Sequence, residues 1–302
     1  MKRFKMAMTK ADNVVICVLV CVILVSAAVA LLTACTSDEP EAAVNGGLVA
    51  DTTEIETVTI YFAPQYDIRP MTRAAIADAA SRLDVWIYDG YTELTAVHQS
   101  SSDVGFGSVS LSLNKTKTYT LYALAHKATA ACTLADGIIS FPDDKPKESF
   151  FYTTTFSPAT TTNINAEMQR ITGKFTLQTT DAIPDDVDHV QFVIRNTAMR
   201  YGVDGTLSNI TDRTVDFPNI TRKADGTCSF SFNILASDAV ANFEITATAY
   251  ASDNSIIETK TFTDVPIRNS YRTTYTGAFF TSSSISVTFT ASDWQDYDTV
   301  NF

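Results

Sequence analysis

The 302-residue chain reads as an all-β protein, two antiparallel β-sandwiches in series behind an N-terminal export segment. Three observations predict this. Past residue 55 the dominant hydrophobic period is two. Thr, Tyr, Phe and Val, the residues that suit a pleated half-buried surface, abound there. Helical signal is confined to short pieces such as Ala74–Ala80.

The export segment comes first. Lys2, Arg3, Lys5 and Lys10 precede an apolar run, Val14–Leu32, and small residues then lead to a cysteine, Leu32-Thr33-Ala34-Cys35. Positive, apolar and small-residue regions in that order are the layout of a bacterial signal peptide. The tetrapeptide resembles a lipobox, so residues 1–34 are expected to be removed and Cys35 to carry acyl chains. A 19-residue apolar run is also just long enough for a spanning helix. Such a helix would not usually end on a small-small-Cys triplet followed by Thr36-Ser37-Asp38-Glu39-Pro40-Glu41. Stable attachment needs more than one acyl chain, at about 0.8 kcal/mol per buried methylene. Residues 35–55, rich in Ala, Gly, Thr and acids, read as an acidic flexible tether. The run Asp38-Glu39-Pro40-Glu41 resembles the export tag of surface lipoproteins in Bacteroidetes-type bacteria, and reads equally well as a solvated linker.

The strands follow by alternation, since successive side chains of a strand point to opposite faces. Val58, Ile60 and Phe62 open the series in Val58–Phe62, followed by Leu83–Tyr88. Val109, Leu111 and Leu113 alternate with serines, and Thr118–His126 and Phe150–Phe156 complete the first body, 56–168. The boundary is placed near Gln169-Arg170-Ile171-Thr172, after the Thr-rich stretch 157–163 and a short strand. The second body, 169–302, contains Thr172–Thr179, His189–Arg195, the alternating set Phe230, Phe232 and Ile234, then Phe243–Tyr250, Ile256–Phe262 and Tyr271–Phe280. After them Ile285, Val287 and Phe289 alternate with Ser286, Thr288 and Thr290. Asp225-Gly226 and Asp253-Asn254-Ser255 supply turn chemistry between strands.

Composition narrows the function. Removing residues 1–34 leaves 18 basic and 33 acidic residues, a net charge near −15. Such a surface argues against nucleic acid and anionic headgroups as partners and says little about carbohydrate or protein. Hydrophobic content of 45% is ample for a core, and 268 remaining residues suit two domains. Cys132 and Cys228 are expected as isolated buried thiols. His98, His126 and His189 have no Cys, Asp or Glu at ligand spacing, so neither a metal, a cofactor nor a His-based general base is expected. There is no Gly-x-Ser-x-Gly elbow or phosphate-cradling glycine loop. Asp143-Asp144 and Asp185-Asp186 do not extend into an alternating calcium loop. The chain is expected not to be an enzyme. Trp86, Tyr88 and Tyr91 could form a sugar-stacking platform. However, Trp86 sits in a strand with apolar residues on both faces, as a central strand does.

Several segments in fixed order resemble the fimbrillin superfamily of Bacteroidetes-type bacteria. They are Cys35 with its acidic tether and the early strand Val58–Phe62; Thr72-Arg73-Ala74 followed by Leu83-Asp84-Val85-Trp86-Ile87-Tyr88-Asp89; and Met168-Gln169-Arg170-Ile171-Thr172-Gly173-Lys174-Phe175. The fourth is Val265-Pro266-Ile267-Arg268-Asn269-Ser270-Tyr271-Arg272-Thr273, ahead of Asp293-Trp294. The similarity spans essentially the whole chain after Cys35.

The resemblance implies two tandem transthyretin-like β-sandwiches, and assembly and adhesion in place of catalysis. In that family stalk subunits are cut by an arginine-specific protease after the first strand, and a neighbour's C-terminal strand fills the opened groove. Arg73 matches the cleavage position, with Arg69 a weaker candidate. Val58, Ile60 and Phe62 would then leave with the displaced strand, and uncut members remain lipidated anchors. The donor would be Ile285–Phe289, with Ile285, Val287 and Phe289 as its anchors, or the tail 297–302. Ser284–Thr290 reads equally as the last strand of the chain's own second body. The implied partners are other fimbrial subunits, the outer membrane through Cys35, and a host or bacterial surface receptor. The implied place is the cell surface and its fimbriae. The competing reading is a surface glycan-binding lipoprotein with Trp86 or Tyr91 stacking on sugars.

Overall fold

Seventeen strands, one short α-helix and one 3-10 turn (Pro142–Asp144) make up the described part of the computed structural model, and that part spans residues 54–65 and 76–281, and the backbone alone of 285–290. Cys35, Arg69, Arg73 and the tail after 290 lie outside the described residues. The chain is nearly all β, as its period-two pattern predicts. Among the described residues no helix is long and apolar enough to cross a membrane.

The elements in order begin with β1 (Ile55–Pro64), α1 (Ile76–Ala79), β2 (Arg82–Asp89), β3 (Thr92–Ser100), β4 (Ser108–Asn114) and β5 (Tyr119–His126). A small hairpin, β6 (Thr133–Ala135) and β7 (Ile138–Ser140), precedes β8 (Ser149–Phe156) and β9 (Asn163–Arg170). One seven-stranded sheet has the order β3-β2-β5-β8-β9-β1-β4. Strands β8 and β9 meet through only two residue pairs, Phe150↔Arg170 and Phe151↔Gln169. The two wings on either side close on one core. Val58, Ile60 and Phe62 of β1 pack in the same cluster as Leu83, Val85 and Ile87 of β2 and Leu121 of β5. Alternation at β1 therefore did set which face is buried.

The remaining strands are β10 (Thr172–Thr179), β11 (His189–Gly202), β12 (Leu207–Phe217), β13 (Ser229–Leu235), β14 (Ala241–Tyr250), β15 (Ile256–Ile267), β16 (Arg272–Gly277) and β17 (Ile285–Thr290). They form a four-stranded sheet, β13-β10-β16-β17, and a six-stranded one, β15-β14-β11-β7-β6 with β12 also on β11. Phe175, Phe192, Phe230, Phe232, Phe262 and Tyr275 are buried together between them. The Phe175 ring lies 5.1 Å from Phe232 and 5.7 Å from Tyr275, centroid to centroid, within the range of favourable aromatic pairs.

Strand β11 joins the two halves of the chain. One side pairs with β12 along most of its length. The other pairs first with β14, over His189–Ile194, and then with β7, over Arg200–Gly202. A hairpin from the first half thus extends a sheet of the second. Trp86, Leu124, Cys132, Leu134, Ile139, Phe151, Ile171, Ala198 and Leu235 are buried around this junction. Elsewhere, β10 approaches the end of β15 closely enough to need Gly173, because a Cβ on it would stand 2.5 Å from the Arg268 carbonyl oxygen.

Several strand ends differ from the sequence pattern, two of them with a clear cause. Strand β16 stops at Gly277 and not at Phe280, because the next N–H groups are taken by a carboxylate, described below. Strand β11 runs seven residues past Arg195, through a bulge that masks its alternation.

Candidate functional site

Strand β1 is the first feature the family resemblance singles out. It pairs antiparallel with β4 from Ile55↔Asn114 to Tyr61↔Ser108, and parallel with β9 from Thr59↔Asn163 to Pro64↔Met168. It is therefore hydrogen-bonded on both edges. Val58 and Ile60 are fully buried and Phe62 nearly so. Burial of three such side chains contributes about 1.5–3 kcal/mol each. Withdrawing β1 would leave a groove with β9 and β4 as its rims and an open core as its floor. The strand ends at Pro64, and the Gln65 N–H donates to the Met168 carbonyl at 2.7 Å. The chain is described again at α1, with Arg69 and Arg73 in the segment between.

The C-terminal candidate, β17, lies at the edge of its sheet. Among the described residues it pairs with β16 alone, from Arg272↔Thr290 to Gly277↔Ile285. The segment leading to it is held from two sides. Asp181 accepts the N–H groups of Phe279, Phe280 and Thr281 at 2.8, 2.7 and 3.0 Å. The Lys260 ammonium donates to the carbonyls of Ala278 and Thr281 at 2.7 and 3.1 Å. A carboxylate on successive amides and an ammonium on carbonyls are charge-assisted bonds, about twice as strong as neutral ones. Asp181 was legible only as part of a polar loop, since its partners lie about a hundred residues away.

The histidines do not stand alone. Adjacent strands bring His98 of β3 and His126 of β5 to Asp84 of β2. The Asp84 carboxylate, fully buried, accepts from His98 Nδ1 at 2.8 Å, His126 Nε2 at 2.8 Å and the Cys132 N–H at 2.6 Å. Asp84, His126 and Cys132 offer ligand atoms within 4.8 Å of one another, a set that could hold a metal ion. The ring tautomer opposes that use. Ala128 N–H donates to His126 Nδ1 at 3.1 Å, so the ring proton sits on Nε2, where a metal would have to bind. Nor is it a nucleophilic triad, because Asp84 and the Cys132 Sγ, at 3.6 Å, meet the same ring nitrogen. Burial pushes the Cys132 thiol upward, with the Asp84 charge adding to it, so the sulfur is held as a thiol. The cluster pins the start of the β6–β7 hairpin to the first core. Sequence spacing missed it because the three strands are 14 and 28 residues apart at these positions yet neighbours in the sheet. Both Cys132 and Cys228 are free and buried. His189 stacks on Tyr250 at 4.9 Å and pairs with Asp188.

The aromatic platform is not assembled. Trp86 is buried in the junction cluster, and Tyr88 is set edge-on to Tyr122 at 5.6 Å. Tyr91 is fully exposed at the tip of the β2–β3 hairpin. Trp86 is thus unavailable for stacking on a sugar, because its ring is buried in the junction cluster.

The features described so far are strands, their edges and the groups that hold them. That organisation agrees with the comparisons. The family model for fimbrillin-A associated anchor proteins Mfa1 and Mfa2 matches residues 51–299, and the chain belongs to this family. Among solved structures it is similar to a candidate adhesin of Bacteroides thetaiotaomicron, at TM-score 0.53 and 11% identity, covering 81% of this chain and 98% of that one. It is similar also to candidate polysaccharide-binding proteins of the same organism, at TM-score 0.54 and 12% identity over 77% and 95%. The fimbrial anchor protein Mfa2 of Porphyromonas gingivalis aligns at TM-score 0.49 and 13% identity over 80% and 100%. Identities this low speak to the fold alone. No curated protein matches the chain.

Proposed function

We propose that the protein is a fimbrial anchor, tethered to the outer membrane through acylated Cys35 and joined to the neighbouring fimbrial subunit by β-strand donation. The family match to anchor proteins supports an anchor over a stalk subunit. One structural observation carries the division of labour. Strand β1 is bonded on both edges and fills the first core, whereas among the described residues β17 has one partner and stands at a sheet edge. An anchor keeps β1, remains uncut at Arg73, and offers its least-held strand to a subunit whose own first strand is gone. Ile285, Val287 and Phe289 then occupy alternate pockets of the receiving groove. Losing β17 costs one ladder of six residue pairs; losing β1 would cost two ladders and part of a core. Adhesion to a surface receptor is exercised through the fimbria so anchored.

The test is the mass and N-terminus of the protein recovered from cells. An acylated chain beginning at Cys35, co-purifying with a fimbrial subunit, is expected, and deletion of residues 285–302 should abolish the co-purification. A chain beginning at Ala74 overturns the anchor assignment in favour of a processed stalk subunit. Retained co-purification after the deletion overturns β17 as the donor.

A further inference from the structure

The end of the four-stranded sheet at which the chain leaves β17 gathers positive charge in an acidic chain. The register sets Asn233, Lys174, Arg272 and Thr290 in one row across β13, β10, β16 and β17. Lys174 precedes Phe175, which belongs to the second core, and Arg272 is its partner on β16. The two cations therefore share the face of the sheet turned away from that core. Lys127 and Arg170 act on the same place and are held by one carboxylate. Glu148 accepts from Lys127 at 2.7 Å and from Arg170 at 3.0 Å.

The charges there do not balance. Burial pushes the Lys174 ammonium below the usual lysine range, and the Arg272 guanidinium pushes it further. Lys127 and Arg170 add to this, and Glu148 alone opposes it. The Nε of Arg272 is buried with no hydrogen-bond partner among the described residues. Four cations (Lys127, Arg170, Lys174 and Arg272) against one carboxylate leave a net charge of +3. The whole chain has 34 acidic and 22 basic residues. Half-buried like charges are costly to gather, and an added anion relieves them.

The sequence after β17 carries that anion. Residues 291–302 begin directly after Thr290, at the edge of the basic row, and include Asp293, Asp296 and Asp298 but no Lys or Arg. Arg272 lies one strand spacing from Thr290, about 5 Å, and Lys174 two, about 10 Å. At about 3.3 Å per residue, Asp293 and Asp296 are within roughly 10 and 20 Å of chain from Thr290, enough to turn back over both cations. So short a connection gives a tethered group an effective concentration of about millimolar, an advantage over any separate acidic chain.

We propose that the acidic segment after β17 docks on this basic patch, Asp293 and Asp296 pairing with Arg272 and Lys174, and latches the strand to its own sheet. With the Asp181 and Lys260 clasp at its start, β17 is then held at both ends. The consequence for assembly rests on β17 being the donor: the latch must open before a fimbrial subunit receives the strand.

The test is carbodiimide cross-linking of the full chain, which condenses an amine with a carboxylate in contact, read by peptide mass spectrometry. A link from Lys174 to Asp293 or Asp296 within one molecule is expected, and mixed light and heavy chains separate it from links between molecules. The Lys127–Glu148 pair, in contact at 2.7 Å, is the internal control. In the double variant Asp293→Asn, Asp296→Asn the Lys174 link should vanish. Hydrogen exchange at the β17 amides should then quicken at least tenfold while β10 stays protected. Arg272→Glu should quicken it likewise, and adding Asp293→Arg should restore the slow rate. The control link without a Lys174 link overturns the docking, as does a link found only between molecules. Unchanged β17 exchange in the double variant overturns the latch. These readouts concern the isolated chain, whereas donation is read from co-purification, so the latch and the anchor assignment can fail separately.

Discussion

Asp84 shows how much a single side chain decides. It receives two imidazole donors and one backbone donor on a fully buried carboxylate, so the buried donors lose their acceptor when it is removed. Asp84→Ala strands the His126 Nε2–H and the Cys132 N–H, and a loss of about 3 kcal/mol or more is expected from urea denaturation midpoints. His98→Ala, at a side chain 40% exposed, should cost much less, because water can reach the vacated Asp84 oxygen. Ile60→Ala tests the core position of β1. A fully buried isoleucine reduced to alanine should lower stability by about 2–5 kcal/mol in the same assay. Ile60 was legible as a buried position from alternation alone. Asp84 was not, because a lone acid between apolar neighbours gives no hint of what stands on the adjacent strands.

At the scale of elements, legibility followed the contrast between faces. Strands with one wet and one dry face, such as β4 and β13, announce themselves. Strand β12, exposed along most of its length, has no such pattern; it forms because β11 offers it a long unpaired edge. The three-residue strands β6 and β7 are too short to carry a period. Strand β15 continues through Pro266, which an edge strand tolerates because that residue need not donate to a ladder. The clasp before β17 yields an element-level prediction. Asp181→Asn should speed hydrogen exchange at the Phe279, Phe280 and Thr281 amides at least tenfold while leaving the β10–β16 ladder protected. Equal loss of protection across β16 would show that the clasp supports the whole sheet, not its exit point.

For the whole molecule, the β6–β7 hairpin adds two strands from before residue 141 to a sheet whose other strands lie after residue 188. A chain cut between residues 168 and 169 is therefore expected to leave the second piece with the Arg200–Gly202 edge of β11 unpaired and aggregation-prone. Strand β1 leads to the complementary prediction. A chain lacking residues 54–65 should be poorly soluble alone and regain a cooperative melting transition when a synthetic peptide of that sequence is added. A scrambled peptide of the same composition should have no effect. If neither peptide alters the melt, the groove cannot be refilled in trans and strand exchange at that site is excluded.

By itself the sequence determined the β class and the buried faces of the patterned strands, because both are written in local order as a period of two. It also carried, through the order of loose motifs, the family to which the chain belongs. Only the tertiary structure decided that Asp84 gathers two histidines and a backbone amide and that Asp181 holds a segment near residue 280. These depend on which strands become neighbours, and neighbours in a sheet are chosen by burial and edge pairing across long separations that no local pattern encodes.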